Sequence, residues 1–136
     1  MIKKITFFSV LIFSAACLQA QTTYTPVDSE SKVHFVIKNF GIKTGGDFSG
    51  LSGTIKFSPE NYTTSVFDVT VDANTIDTDN NSRDGHLRKA EYFDVAAYKT
   101  IHFKSTKVVL SSVKGRFYVY GDLTIKGVTK PVEFGF

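Results

Sequence analysis

The stretch NNSRDGHLRKAEYFDV, residues 80–95, concentrates most of the side chains that could do chemistry: Arg83, Asp84, His86, Arg88, Lys89, Glu91 and Asp94. Asp84 with His86 could be a general base with its orienting carboxylate, or two ligands of a metal. The spacing argues against a dyad. Two residues apart on a helix, the side chains diverge by about 200° and do not meet at one substrate atom. No Ser or Cys sits in a recognisable nucleophile motif, and no Gly-rich phosphate loop is present. The expected set of catalytic residues is therefore empty. His34, His86 and His102 lie far apart, with neither i,i+4 nor C-x-x-C spacing. Distant ligands can still converge in a barrel, so metal-assisted chemistry through His86 or His102 stands as an alternative. Otherwise the stretch reads as a charged, solvated helix that tethers itself by salt bridges and hydrogen bonds.

The local signals support such a helix, from about Ser82 to Ala90 or Glu91. Asn81 or Ser82 can cap it, Asp84 suits the positive end of its dipole, and Arg88 and Lys89 fall near the other end. A helix this short is marginal in water and must dock on something. Leu87, Ala90 and Phe93 are its apolar handles.

What it docks on is legible as period-two alternation. In KVHFVIK, Val33, Phe35 and Ile37 share a face opposite His34, Val36 and Lys38. In LSGTIKF, Leu51, Gly53, Ile55 and Phe57 oppose Ser52, Thr54 and Lys56, and in FDVTVDA, Phe67, Val69, Val71 and Ala73 oppose Asp68, Thr70 and Asp72. Ile101 and Phe103 alternate with His102 and Lys104, and Phe117, Val119, Leu123 and Ile125 with Arg116, Tyr118, Tyr120 and Thr124. Each is a strand apolar on one face. Turn signals separate them: GG at 45–46, SPENY at 58–62, SSVKG at 111–115 and KGVTKP at 126–131. Such short connections make the strands mostly antiparallel, and the expected fold is an all-β meander-like sandwich or barrel.

The N-terminus has a different purpose. Lys3 and Lys4 precede an uncharged, mostly apolar run from Ile5 to Leu18, the pattern of a secretory signal peptide over residues 1–20. Export is thus expected, with a mature domain from Gln21 to Phe136; acylation at Cys17 after a lipoprotein-type cleavage is the alternative. Without residues 1–20, the 16 basic residues lose Lys3 and Lys4, leaving 14 against 13 acidic ones. That near-neutral chain has no basic stripe for nucleic acid and no segment expected to span a membrane. It also loses its one Cys, so burial alone must stabilise it.

The apolar faces carry nine Phe, at 35, 48, 57, 67, 93, 103, 117, 134 and 136. Closing about eight strands leaves an interior that side chains either fill or line around one apolar ligand. Pattern alone leaves both open. Candidate lining residues are Phe35, Ile55 and Phe57, then Val69, Val71 and Phe103, then Phe117, Val119 and Leu123. A filled interior would make the chain a structural or interaction module.

Several motifs together go further. IDT at 76–78, RDGHLRKAEYFDV at 83–95, IHFKST at 101–106 and LTIKGVTKPV at 123–132, with VHFVIKNFGIKTGGDFSGLSGTIKF upstream, resemble the YceI family of bacterial periplasmic lipid-binding proteins. The resemblance covers almost all of the chain after residue 20. It implies a lipocalin-like antiparallel β-barrel with one short helix, and a lumen that takes a long isoprenoid-type lipid, such as a quinone-like tail, without catalysis or cofactor. It also implies a place for the 83–95 stretch at one barrel end, with Leu87 and Phe93 facing inward to close or line the lumen. Two departures stand out. Family members often begin with Trp and an Asp-Pro-x-His-Ser-like segment, where this chain has Tyr24 and PVDSESKV. They also continue for several strands beyond VEFGF, so an incomplete barrel is expected, whose open edges invite a homodimer.

Overall fold

The computed structural model describes residues 22–26, 31–39 and 41–136; the expected signal peptide lies outside them. Alternation builds strands where it was legible. Strands β1 (Thr22–Tyr24), β4 (Ser52–Phe57), β5 (Val66–Asp72), β6 (Thr100–Leu110), β7 (Phe117–Ile125) and β8 (Val128–Gly135) form one antiparallel sheet in the order β1-β4-β5-β6-β7-β8. β2 (Val33–Asn39) and β3 (Ile42–Phe48) form a separate antiparallel hairpin. One helix, α1 (Asn81–Leu87), stands between β5 and β6. No helix among the described residues is long and apolar enough to cross a membrane.

The architecture is the expected all-β, antiparallel, barrel-type one, but the sheet is not closed. The two hairpin strands satisfy each other along their whole length, from Val33–Phe48 to Asn39–Ile42. An isolated bridge between Asp47 and Asp77 ties the hairpin to the segment that follows β5, with N–H···O distances of 2.8 and 3.0 Å. β3 leaves that bridge at Ser49, whose carbonyl accepts from the Asp72 N–H at 3.2 Å.

Two turn expectations are corrected. Gly45 and Gly46 lie inside β3, and the reversal falls between Asn39 and Ile42. Gly46 is there for close approach: a Cβ would come within 2.7 Å of the Asp77 carbonyl oxygen and 2.9 Å of the Phe35 ring. The turn after β7 uses only Lys126 and Gly127, both at positive φ of 49° and 71°, the geometry of a tight two-residue hairpin. Thr129, Lys130 and Pro131 belong to β8.

β6 is longer than its alternation suggests because it contains a bulge between Ser105 and Lys107. Before the bulge, Ile101 and Phe103 face inward; after it, Val108 does. One extra residue reverses the parity. The core falls into two clusters. Phe48, Val71, Ala73, Ile76 and Ile101 form the first, with Phe35, Leu87 and Phe93 packed against it. Phe103, Val108, Phe117 and Val119 form the second, backed by Phe57 and Phe67.

Candidate functional site

The charged stretch at 80–95 becomes a clamp. α1 starts one residue earlier than expected, capped by Asn80, whose Oδ1 accepts from the Arg83 N–H at 3.0 Å. It also ends earlier, at Leu87, since the Phe93 N–H turns back to the Leu87 carbonyl and Val95 to that of Arg88. Asp84 is not solvated. It is 3% exposed, and its Oδ1 accepts from both the Thr78 N–H at 3.0 Å and the Thr78 hydroxyl at 2.5 Å. Arg83 Nε donates to the Thr78 Oγ1 at 2.7 Å and Nη2 to its carbonyl at 2.6 Å. Arg88 reaches the carbonyls of Asn74 at 2.9 Å and Ile76 at 2.8 Å.

The helix thus satisfies the backbone of the irregular 74–78 segment, which has few ladder partners of its own. The tether is made of hydrogen bonds rather than the expected salt bridges. Among the described residues, the ion pairs join His34 to Asp47, and His102 and Lys104 to Asp68. His86 faces away from Asp84 and meets the Tyr92 ring edge-on, with centroids 5.1 Å apart. The two residues form no dyad.

The three histidines also stay apart. His34 Nδ1 lies 2.7 Å from Asp47 Oδ1, and His102 Nε2 lies 2.7 Å from Asp68 Oδ1 on the outer face of β5 and β6. No group of three or more metal-ligating side chains gathers among the described residues. Hydrogen bonding from His102 holds the Asp68 carboxyl below its ordinary value, with Lys104 adding charge in the same direction.

The inner faces line a half-open cavity of about 460 Å³ where the two core clusters meet. Of the residues expected to line it, Ile55, Val69, Val71, Phe103, Val119 and Leu123 do. Five others are placed elsewhere. Phe35, Leu87 and Phe93 pack against the first cluster, with Phe48 bridging Phe35 at 5.4 Å and Phe93 at 5.6 Å. Phe57 and Phe117 contact each other edge-on at 5.1 Å and both pack on Phe136.

The lining also includes Leu51, Phe67, Ile101, Phe134 and Phe136, absent from the expected set. Their signal was present, since Phe67 and Ile101 continue the alternating faces of Val69 and Phe103. Phe67 packs on Phe136 at 5.2 Å and Phe103 on Phe134 at 5.1 Å. Lys32, His34 and Thr70 are the polar members of the lining, with Lys32 and His34 on the hairpin side. Such walls offer dispersion and dehydration to an apolar chain, and few partners to a polar one.

Comparison with known proteins agrees with this architecture. Residues 24–136 match the YceI-like domain. A UPF0312 protein of Vibrio parahaemolyticus is 34% identical over 135 residues, covering 96% of this chain and 71% of its own length. The structure of Burkholderia cenocepacia BcnA superposes with a TM-score of 0.71 at 26% identity, covering 79% of this chain and 67% of that one. A polyisoprenoid binding domain from Saccharophagus degradans shares the fold, with a TM-score of 0.56 at 17% identity over 85% of this chain and 66% of its own. The chain spans about two thirds of each of these solved chains. With the domain match running from Tyr24 to Phe136, the chain belongs to the YceI-like family.

Proposed function

We propose that this protein binds a long apolar lipid of the isoprenoid type in the cavity between its two core clusters, and holds it without chemical conversion. The observation that carries the reading is the lining itself, in which Val69, Val71, Ile101, Phe103, Val119 and Leu123 converge from three neighbouring strands. The polyisoprenoid binding domain of similar fold supports the ligand class. Size supports it too. If a methylene fills about the ~30 Å³ that a water does, 460 Å³ accommodates about fifteen carbons, or about three isoprene units. At about 0.8 kcal/mol per buried methylene, that chain gains about 12 kcal/mol before the cost of association. A longer chain, a quinone tail included, would leave past Phe134 and Phe136, which are 45% and 42% exposed.

Export to the periplasm is the matching location, supported by Lys3, Lys4 and the apolar run that follows. Mass spectrometry of the native protein purified from its host tests both parts. Added mass extractable as a prenyl lipid, on a chain beginning at Gln21, is the expected result. A cooperatively folded protein that carries no lipid, and takes up no prenyl alcohol offered in detergent, would leave a filled structural module instead.

A further inference from the structure

The β6–β7 hairpin ends in a tip unlike the opposite end of the molecule. The turn from Ser111 to Arg116 is closed by the Ser111 N–H on the Arg116 carbonyl at 2.9 Å and the Arg116 N–H on the Val113 carbonyl at 3.1 Å. Its apolar side chains point to solvent: Leu110 is 56% exposed and Val113 54%. Lys114 and Arg116 flank them, also exposed. No Asp or Glu occurs between Asp94 and Asp122. In the adjoining 58–65 loop the acid is Glu60, which accepts from the Ser58 hydroxyl at 2.8 Å. Lys107, one step back from the tip, lies over the Tyr120 ring at 4.4 Å, beside Glu133. At the other end, residues 77–99 mix five acids (Asp77, Asp79, Asp84, Glu91, Asp94) with four bases (Arg83, Arg88, Lys89, Lys99). The tip joins exposed aliphatic side chains to charge of one sign, as the β2–β3 turn also does with Val36, Ile37 and Ile42 beside Lys38 and Lys43.

The tip is also continuous with the cavity. Leu110 pairs with Phe117 across β6 and β7, and Phe117 exchanges both backbone hydrogen bonds with Phe136, each at 2.9 Å. Phe136 and Phe134 line the cavity. An apolar row therefore runs from the tip through Leu110, Phe117 and Phe136 to the cavity.

We propose that the β6–β7 tip docks on an anionic lipid bilayer. Leu110 and Val113 enter the headgroup–acyl boundary, and Lys114 and Arg116 meet the anionic headgroups. The row through Phe136 then gives a prenyl chain a dehydrated path between bilayer and cavity. That last step rests on the lipid-binding reading above; the docking does not.

The test is co-sedimentation with phosphatidylcholine vesicles, with and without phosphatidylglycerol. It uses protein purified from its host with its N-terminus read by mass spectrometry. Wild type should bind only the phosphatidylglycerol vesicles and release as salt rises. Two surface bases contribute about fivefold each, so Lys114→Ser with Arg116→Ser should weaken partitioning about 25-fold. Leu110→Ser with Val113→Ser should weaken it on the order of tenfold on the same vesicles. All four positions are exposed, so melting curves should match wild type, and uptake of a prenyl alcohol from detergent should be unchanged. Wild type that ignores phosphatidylglycerol vesicles at low salt, or variants that bind as wild type does, would overturn the docking. Docking without any prenyl uptake would leave it standing and remove the cavity reading alone.

Discussion

Val69 is the position where cavity and core give opposite forecasts. On the inward face it stands between Gly53 of β4, which has no side chain, and Phe103 of β6. It lines the cavity and is half-buried. Val69→Phe adds four carbons, which have open space to enter. Displacing about four methylenes of a bound chain loses about 3 kcal/mol of burial, roughly 200-fold in affinity. Folding should not suffer, because the ring fills space rather than forcing its neighbours apart. The melting temperature should hold or rise by a few degrees. In a filled core the same change overpacks, costs about 1–3 kcal/mol and lowers the melting temperature. The assay pairs a thermal melt with titration of a prenyl alcohol of about three isoprene units. A variant that melts lower and still binds like wild type would refute the reasoning at both points. The cavity would then be neither empty nor the binding site.

Three further outcomes follow from named contacts. Asp84→Ala leaves the buried Thr78 N–H without its carboxylate acceptor and takes a partner from the Thr78 hydroxyl, so urea denaturation should show a loss of about 2–4 kcal/mol, against less for Asp84→Asn; a loss near zero would mean that the clamp is slack. Gly121→Ala places a Cβ 2.3 Å from the Lys104 carbonyl oxygen and 2.6 Å from the Phe103 ring, so stability should fall by about 1–3 kcal/mol and prenyl uptake with it, whereas wild-type values for both would show a pliable wall. Because Asp68 titrates lower in the folded state than its unfolded value near 3.9, its carboxylate stabilises the fold fully above that pH and loses the effect as pH falls through the folded value. The stability gap between wild type and Asp68→Asn, followed by denaturation at falling pH, should therefore shrink in that acid window; a gap that widens there would reverse the sign.

What the sequence disclosed divides along the range of the interactions involved. Strand faces are local: alternation at Phe67, Val69 and Val71 is enough to place them inside, and at β5 it does. The same rule ran out after Lys104, where the Ser105–Lys107 bulge shifts parity by one residue and hides Val108 and Leu110 in a segment that no longer alternates. Glycine punctuation misled for a similar reason. Gly45 and Gly46 read as a turn, yet Gly46 is demanded by a backbone that approaches from Asp77, thirty-one residues away, and no local pattern records that contact.

The charged stretch is the instructive case. Composition puts Asp84 on a solvated face, since an unpaired carboxylate rarely goes inside. What draws it inside is Thr78, six residues earlier, whose N–H and hydroxyl both point at one carboxylate oxygen. The 74–78 segment leaves the sheet to pass under the helix, and its carbonyls and amides need partners that strands would otherwise supply. Arg83, Asp84 and Arg88 meet that need, two donors and one acceptor on a seven-residue helix and its C-cap. A cluster of charges in a short helix therefore has two origins that sequence alone does not separate, a reacting centre and a repair of irregular backbone. Here the partners decide: the side-chain hydrogen bonds of those three residues end on residues 74–78, and none turns toward the cavity. The apolar cavity and the charged clamp are thus separate parts of the molecule, the first built by strand alternation and the second holding one end of those strands in place.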